Sequence, residues 1–253
     1  NPVSPAGTVC FFIDEFTDLN DTEAGIKAVK LLTSLNYKVI TVNNTVSART
    51  FISKGLLRKA RKHIDKNIKI LENIINEDTV LVGIEPSALL GFRDEFPELA
   101  SESLRESARR ISKYCYLFDE FIVREFNMGK INRELFTPEK KNILVHIHCQ
   151  QKSVASSGSL IESLSIPVNY NVKEIPSGCC GMAGAFGYEK EHYELSNKIG
   201  ELVLFPEVRN SAQDTIIAAP GTSCRHHIKE GTGRTALHPA EILYDALKKK
   251  EEL

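Results

Sequence analysis

Four of the six cysteines in this 253-residue chain fall in one stretch, at Cys149, Cys179, Cys180 and Cys224. Buried thiolates without a cation each cost several kcal/mol, on the order of an isolated buried ion. Such thiols are therefore protonated, paired as disulfides, or bound to metal. Six cysteines in a chain of this length are too sparse for a disulfide scaffold. Four thiolates suit one tetrahedral zinc ion or the cysteine ligation of an iron–sulfur cluster. No Cys-x₂-Cys pair of the zinc-finger kind is present. Adjacent cysteines diverge and suit different irons of a cluster better than one ion. A redox-active thiol pair at Cys179 and Cys180 stays open beside these readings. Cys10 and Cys115 stand apart in apolar surroundings and read as core.

The neighbours of these cysteines have chemistry of their own. Glycines flank the pair in Ser177-Gly178-Cys179-Cys180-Gly181, with Gly184 and Gly187 beyond. They permit tight turns and close approach to a bulky group. The segment leads toward a helix, whose N-terminus would favour thiolates. His146 and His148 flank Cys149, and strand alternation would put them on one face. His226 and His227 follow Cys224. Each histidine is expected to support the thiolates rather than ligate. Lys152 and Arg225 can offset the negative charge of a thiolate site. Gly231-x-Gly233 lacks the strand–helix context of a phosphate loop, and no Ser/His/Asp arrangement is legible. No catalytic residue is assigned.

These residues need elements to position them. Apolar runs at Val9–Ile13, Lys38–Val42 and Thr79–Ile84 read as strands, separated by helical patterns over Ala24–Leu35 and Lys54–Ile75. The same order returns with strands at Asn142–Ile147, Val172–Ile175 and Thr215–Ala219. The helices between them are expected over Ser153–Leu164 and Tyr188–Phe205, with a last helix opened by His238-Pro239. Continuous apolar strands alternating with helices imply parallel sheets covered on both faces, with right-handed crossovers. Ligands of such sheets bind beyond the carboxyl ends of the strands. All four cysteines follow strand ends and should therefore converge.

The second half is read as a repeat of the first at an offset of 133 residues. Cys149 then falls on Phe16 and Cys180 on Ser47; a further shift of three places Cys224 on Ala88. Residues 1–100 form the first repeat and 137–253 the second, with 101–136 a helical connector whose aromatic stretch Tyr116–Phe126 packs as core. Lys plus Arg number 32 and Asp plus Glu 33, which favours neither nucleic acid nor an anionic membrane as partner. No apolar run is long enough to span a bilayer. Residues 1–7 carry no signal-peptide pattern, and a start without Met suggests a piece of a longer protein.

His148-Cys149-Gln150-Gln151-Lys152, Ser177 to Gly184, Pro220-Gly221-Thr222-Ser223-Cys224-Arg225-His226 and His238-Pro239-Ala240-Glu241 together resemble the cysteine-rich CCG domain family. The nearest likeness is to the C-terminal iron–sulfur region of FAD-linked oxidases similar to D-lactate dehydrogenase. The heterodisulfide reductases and the iron–sulfur subunits of glycolate oxidase and anaerobic glycerol-3-phosphate dehydrogenase belong to the same group. The first half shares the likeness through Phe51–Leu57 and Glu85-Pro86-Ser87-Ala88. The resemblance implies an α/β fold of two tandem, internally duplicated CCG-type units. It implies metal ligation by Cys149, Cys179, Cys180 and Cys224, supported by His148, Lys152, Gly181, Arg225 and His226. The cofactor implied is an iron–sulfur cluster of the 4Fe-4S kind, with zinc the alternative, and FAD only on a partner domain. The function implied is electron transfer in a flavin-linked 2-hydroxyacid oxidoreductase of D-lactate or glycolate type. The partners implied are a flavin-binding dehydrogenase domain or subunit and a downstream acceptor, in the cytoplasm or peripheral at the inner membrane. The alternatives are a docking domain with a zinc or empty cysteine site, or a thiol–disulfide domain. Two departures stand out. Val46-Ser47-Ala48 replaces Cys-Cys-Gly in the first half, and Gly221 stands where the wider family has a further cysteine.

Overall fold

The computed structural model describes residues 4–43 and 45–248; the first three residues of the polar start lie outside that range. The chain divides into two compact units, Asn1–Phe121 and Ile122–Leu253. The first contains β1 (Gly7–Phe11), α1 (Glu15–Leu19), α2 (Thr22–Ser34), β2 (Tyr37–Thr41), α3 (Arg49–Ser53), α4 (Leu57–Leu71), β3 (Thr79–Gly83), α5 (Pro86–Leu89), α6 (Glu95–Leu99), α7 (Arg105–Ser112) and β4 (Cys115–Leu117). Helix α8 (Phe118–Asn127) crosses the boundary. The second unit contains β5 (Lys141–Val145), α9 (Cys149–Val154), α10 (Gly158–Leu164), β6 (Tyr170–Glu174), α11 (Tyr193–Leu202), α12 (Leu204–Asn210), β7 (Ile216–Ala218), α13 (Thr222–Thr232), β8 (Ala236–Leu237) and α14 (Pro239–Asp245).

Each unit has a four-stranded sheet, ordered β2-β1-β3-β4 in one and β6-β5-β7-β8 in the other, and every pairing is parallel. The first strand of each unit is central, which is why its apolar run is continuous: Val9, Cys10, Phe11 and Phe12 are all buried. The α4 side chains Ala60, Ile64, Ile68 and Leu71 are buried at helical spacing. The second unit buries Ile175, Met182, Leu204, Phe205, Val208, Ile217 and Ile228 together with Cys180 and Cys224.

Local sequence sets the boundaries. Gly55, at φ +70°, separates α3 from α4, so the long helix expected over 54–75 is the single helix α4, starting at Leu57 and ending at Leu71, with the short α3 before it. Val203, with φ −145°, breaks the helix expected over 188–205 into α11 and α12. Ala155 turns extended between α9 and α10. Pro239 opens α14, with His238 and Glu241 forming a reciprocal cap. Two strands were not foreseen. β4 forms inside the stretch expected to be helical, and β8 has only two residues. Gly233 terminates α13 at φ +73°, the ordinary role of a helix-ending glycine.

Candidate metal centre

Three strand exits of the second unit build the site. Beyond β5, the His146 N–H still donates to Ala218 O at 2.8 Å, tying the chain to the sheet. His148 then caps α9, its Nδ1 accepting from the Gln150 N–H at 3.2 Å, and Cys149 takes the first helical position. Beyond β6, Ile175 N–H donates to Val145 O at 2.8 Å before the chain turns into Ser177–Gly181. Beyond β7, Gly221 starts α13 and Cys224 lies in its first turn. Helix N-termini therefore lie under Cys149 and Cys224, not under the Cys179–Cys180 pair as expected.

The Cys-Cys-Gly turn is clamped from behind. Gly181 has φ +108°, and a Cβ there would meet Ser196 O at 2.4 Å. The His227 ring bridges Cys180 O (2.9 Å from Nδ1) and Asn197 Oδ1 (3.2 Å from Nε2). Its own position is set by Phe205, edge-on at 4.8 Å. Arg225 is buried, and Nη1 donates to the carbonyls of Ala219 and Pro220, both at 2.7 Å, which pins the β7 exit. Lys152 Nζ bridges Glu174 and Ser177 O, each at 2.8 Å. Exposed His226 meets the Tyr188 hydroxyl at 3.0 Å.

The structure brings the four cysteines into one row. Cys149 is exposed and Cys179 half-buried, and their thiols are interacting neighbours. Cys179 also meets Cys180, and Cys180 Sγ lies 3.4 Å from Cys224 Sγ in the interior. Protons are unevenly shared along the row. Hydrogen bonds from Cys149 and Cys180, helped by the Gly181 and Ala183 N–H groups, hold Cys179 far below the usual thiol range. The Cys180 hydrogen bond, with His146 and His148 nearby, lowers Cys224 against its burial. Donating to those thiolates raises Cys149 and Cys180. Two lowered and two raised thiols alternate in contact, so a cation that displaces the remaining protons turns four neighbours into ligands at once.

At the inner end, a ring nitrogen of His146, Cys180 Sγ and Cys224 Sγ all lie within 4.8 Å of one another, and the three residues are buried. This group is compatible with a metal ion or a cluster. From the sequence His146 is expected beside the thiolates in a supporting role, not within the donor group itself. Both flanking histidines do face Cys224, but β5 has already ended at Val145, so strand alternation is not the reason. Ser196 and Asn197, which hold His227, carry no signal in the sequence pattern, and Ser177, which holds His146, is marked there only as the start of the Cys-Cys-Gly segment. Gly221 lies close in: a Cβ there would meet His148 Cδ2 at 2.5 Å and Cys224 Sγ at 3.3 Å.

The corresponding edge of the first unit is built differently. Asp14 caps α1, and its buried carboxyl is pushed up to about 7 by burial and by Glu85. Glu15 accepts from the Ser47 N–H and hydroxyl, both at 2.7 Å. Cys10 and Cys115 are buried in strands, and burial pushes the Cys10 thiol up to about 12. Among the described residues, no helix is long and apolar enough to cross a membrane.

No family model matches the chain. Among curated proteins it is similar to D-2-hydroxyglutarate dehydrogenase of Escherichia coli K12, at 24% identity over 98% of this chain and 23% of that protein. Another relative is a component of anaerobic glycerol-3-phosphate dehydrogenase of the same organism, at 24% identity over 94% of this chain and 59% of that component. The chain thus spans about a quarter of the first relative and less than two thirds of the second. A hypothetical protein from Helicobacter pylori shares the fold, with a TM-score of 0.52 at 13% identity, over 98% of this chain and 51% of that one. What the fold and these likenesses define is an α/β region similar to parts of larger dehydrogenases, with a cysteine–histidine cluster at one sheet edge.

Proposed function

We propose that this chain is the electron-transfer region of a flavin-linked dehydrogenase that oxidises a 2-hydroxyacid. In this reading Cys149, Cys179, Cys180 and Cys224 hold an iron–sulfur cluster of the 4Fe-4S kind. The observation that carries it is the row of four sulfurs delivered by three strand exits. The similarity to segments of two dehydrogenases supports the reaction class. A bound cluster supplies one-electron transfer at a low cost in reorganisation. The chain's own residues do the rest. Gly181 and His227 fix the Cys179–Cys180 turn, backbone N–H groups of Gly181 and Ala183 aim at Cys179, and Arg225 holds the approach to Cys224. Burial of Cys180 and Cys224 shields the inner end, and exposure of Cys149 leaves the outer end open to an electron donor. The matching strand order of the two sheets supports a duplicated CCG-type unit, in which the first copy has lost its thiolates and serves as packing or docking surface.

A second reading is a single zinc ion, favoured by one observation. Donors 3.4 Å apart suit two ligands of one ion at about 2.3 Å each. The functional reading is tested by mixing the anaerobically purified chain with its flavin-bearing partner and a 2-hydroxyacid. Substrate-dependent bleaching of the visible absorption of this chain's centre is expected. Reduction of the flavin with no change in that centre contradicts electron transfer.

A further inference from the structure

We propose that His146 is a ligand, through Nε2, of the same metal centre that Cys180 and Cys224 hold. The inference rests on the reading that these thiols hold a metal. It adds a nitrogen donor to a set otherwise made of sulfur.

His146 is fully buried just past the central strand. Its Nδ1 lies 2.8 Å from Ser177 Oγ, and Ser177 is itself buried. The Ser177 hydroxyl also faces Ile175 O at 3.5 Å. Its single hydrogen directed there leaves Oγ to accept from Nδ1–H. In the proposed arrangement the proton sits on Nδ1 and the Nε2 lone pair is free, the tautomer a metal-binding imidazole needs. Nε2 has no hydrogen bond to any nitrogen or oxygen, although it is buried. A buried polar atom left without a partner is destabilising. The His146 ring lies beside the sulfur pair, a ring nitrogen and both sulfurs being within 4.8 Å of one another, and Nε2 is the nitrogen that Ser177 leaves unengaged. Ligands at about 2.0–2.3 Å from one tetrahedral ion lie roughly 3.5–3.8 Å apart, so donors within 4.8 Å of one another reach a shared ion, or adjacent metal atoms of one cluster, by closing in by about an ångström. Ser177 then plays the part of the oxygen that orients a ligating histidine. Lys152 bonds the Ser177 carbonyl at 2.8 Å and steadies that loop.

The alternative is that Nε2 carries the proton and donates to the Cys224 thiolate without touching metal. Spectroscopy separates the two. Protein labelled with ¹⁵N-histidine and purified anaerobically is examined by pulsed electron paramagnetic resonance of its reduced cluster. Metal-free protein is also titrated with Co²⁺ and examined by X-ray absorption. The expected result is one directly bound imidazole nitrogen beside sulfur. It is retained in His148→Ala and His226→Ala and lost in His146→Ala. Ser177→Ala should weaken Co²⁺ binding by about 10–100-fold, as loss of an orienting partner does. A wild-type centre with sulfur ligands alone overturns the inference and leaves the cluster reading standing. A Co²⁺ site with one imidazole, in a protein that holds no iron or sulfide, upholds the inference and overturns the cluster. Protein that binds neither iron nor Co²⁺ overturns both.

Discussion

Replacing Gly181 by alanine perturbs the site through the backbone alone. At φ +108° the residue sits in a region that L side chains avoid, at a cost of about 1–3 kcal/mol. The added Cβ would also lie 2.4 Å from Ser196 O and 3.3 Å from His227 Cε1. Ser196 O is backbone in α11 and cannot rotate away, so helix or turn must shift, which costs about 1–3 kcal/mol more. The sum is on the order of 4 kcal/mol, against about 5–15 kcal/mol for a typical domain. The unit should therefore still fold, with the Cys179–Cys180 turn displaced. Gly178→Ala is the matched control: nothing lies within 4 Å of its Cβ and its φ is not positive, so a change within about 0.5 kcal/mol is expected. Urea denaturation followed by circular dichroism, with metal content measured on the same samples, reads both effects. Gly181→Ala with the midpoint and metal content of the parent would refute the clamped-turn argument.

Other outcomes follow from the same structure. Asp14 holds its proton in the folded state up to about pH 7, against 3.8 for the free group, so its contribution to stability is full below about pH 4 and is lost as pH rises toward 7. The loss is on the order of 4 kcal/mol at about 1.36 kcal/mol per unit. Asp14→Asn keeps an acceptor for the Phe16 and Thr17 N–H groups, and the difference in stability between parent and variant should track pH across that window. Equal pH dependence in parallel thermal melts contradicts it. Arg225→Met leaves the buried Ala219 and Pro220 carbonyls without their donor and should destabilise by about 2–4 kcal/mol in the same assay. Cys10→Ala and Cys115→Ala should leave metal content unchanged, since both thiols are buried in strands of the other unit.

Much of this fold was legible because its signals are local. The apolar runs around Val9, Thr79 and Ile143 are buried central strands, and such runs need no partner information to be read. The convergence of the four cysteines followed from parallel strands whose exits share an edge. What escaped was set by tertiary contact. Cys115-Tyr116-Leu117 is a three-residue strand, held by pairing with β3 and followed immediately by helix, so its pattern merges with the helical one. His146 looked like one of several flanking histidines. Only the Ser177 contact and the buried, unbonded Nε2 single it out, and both depend on a loop 31 residues away. Arg225, read as a charge near the thiolates, is a buried tie for the β7 exit, a role no spacing announces.

The central claim is that the sulfur row holds a redox metal centre. Its most direct test is iron and acid-labile sulfide analysis of the anaerobically purified chain, beside Cys149→Ser, Cys180→Ser and Cys224→Ser. The account predicts iron and sulfide in comparable, stoichiometric amounts in the parent and their loss in all three variants. Parent protein without iron or sulfide, or variants that retain both at parental levels, would contradict it.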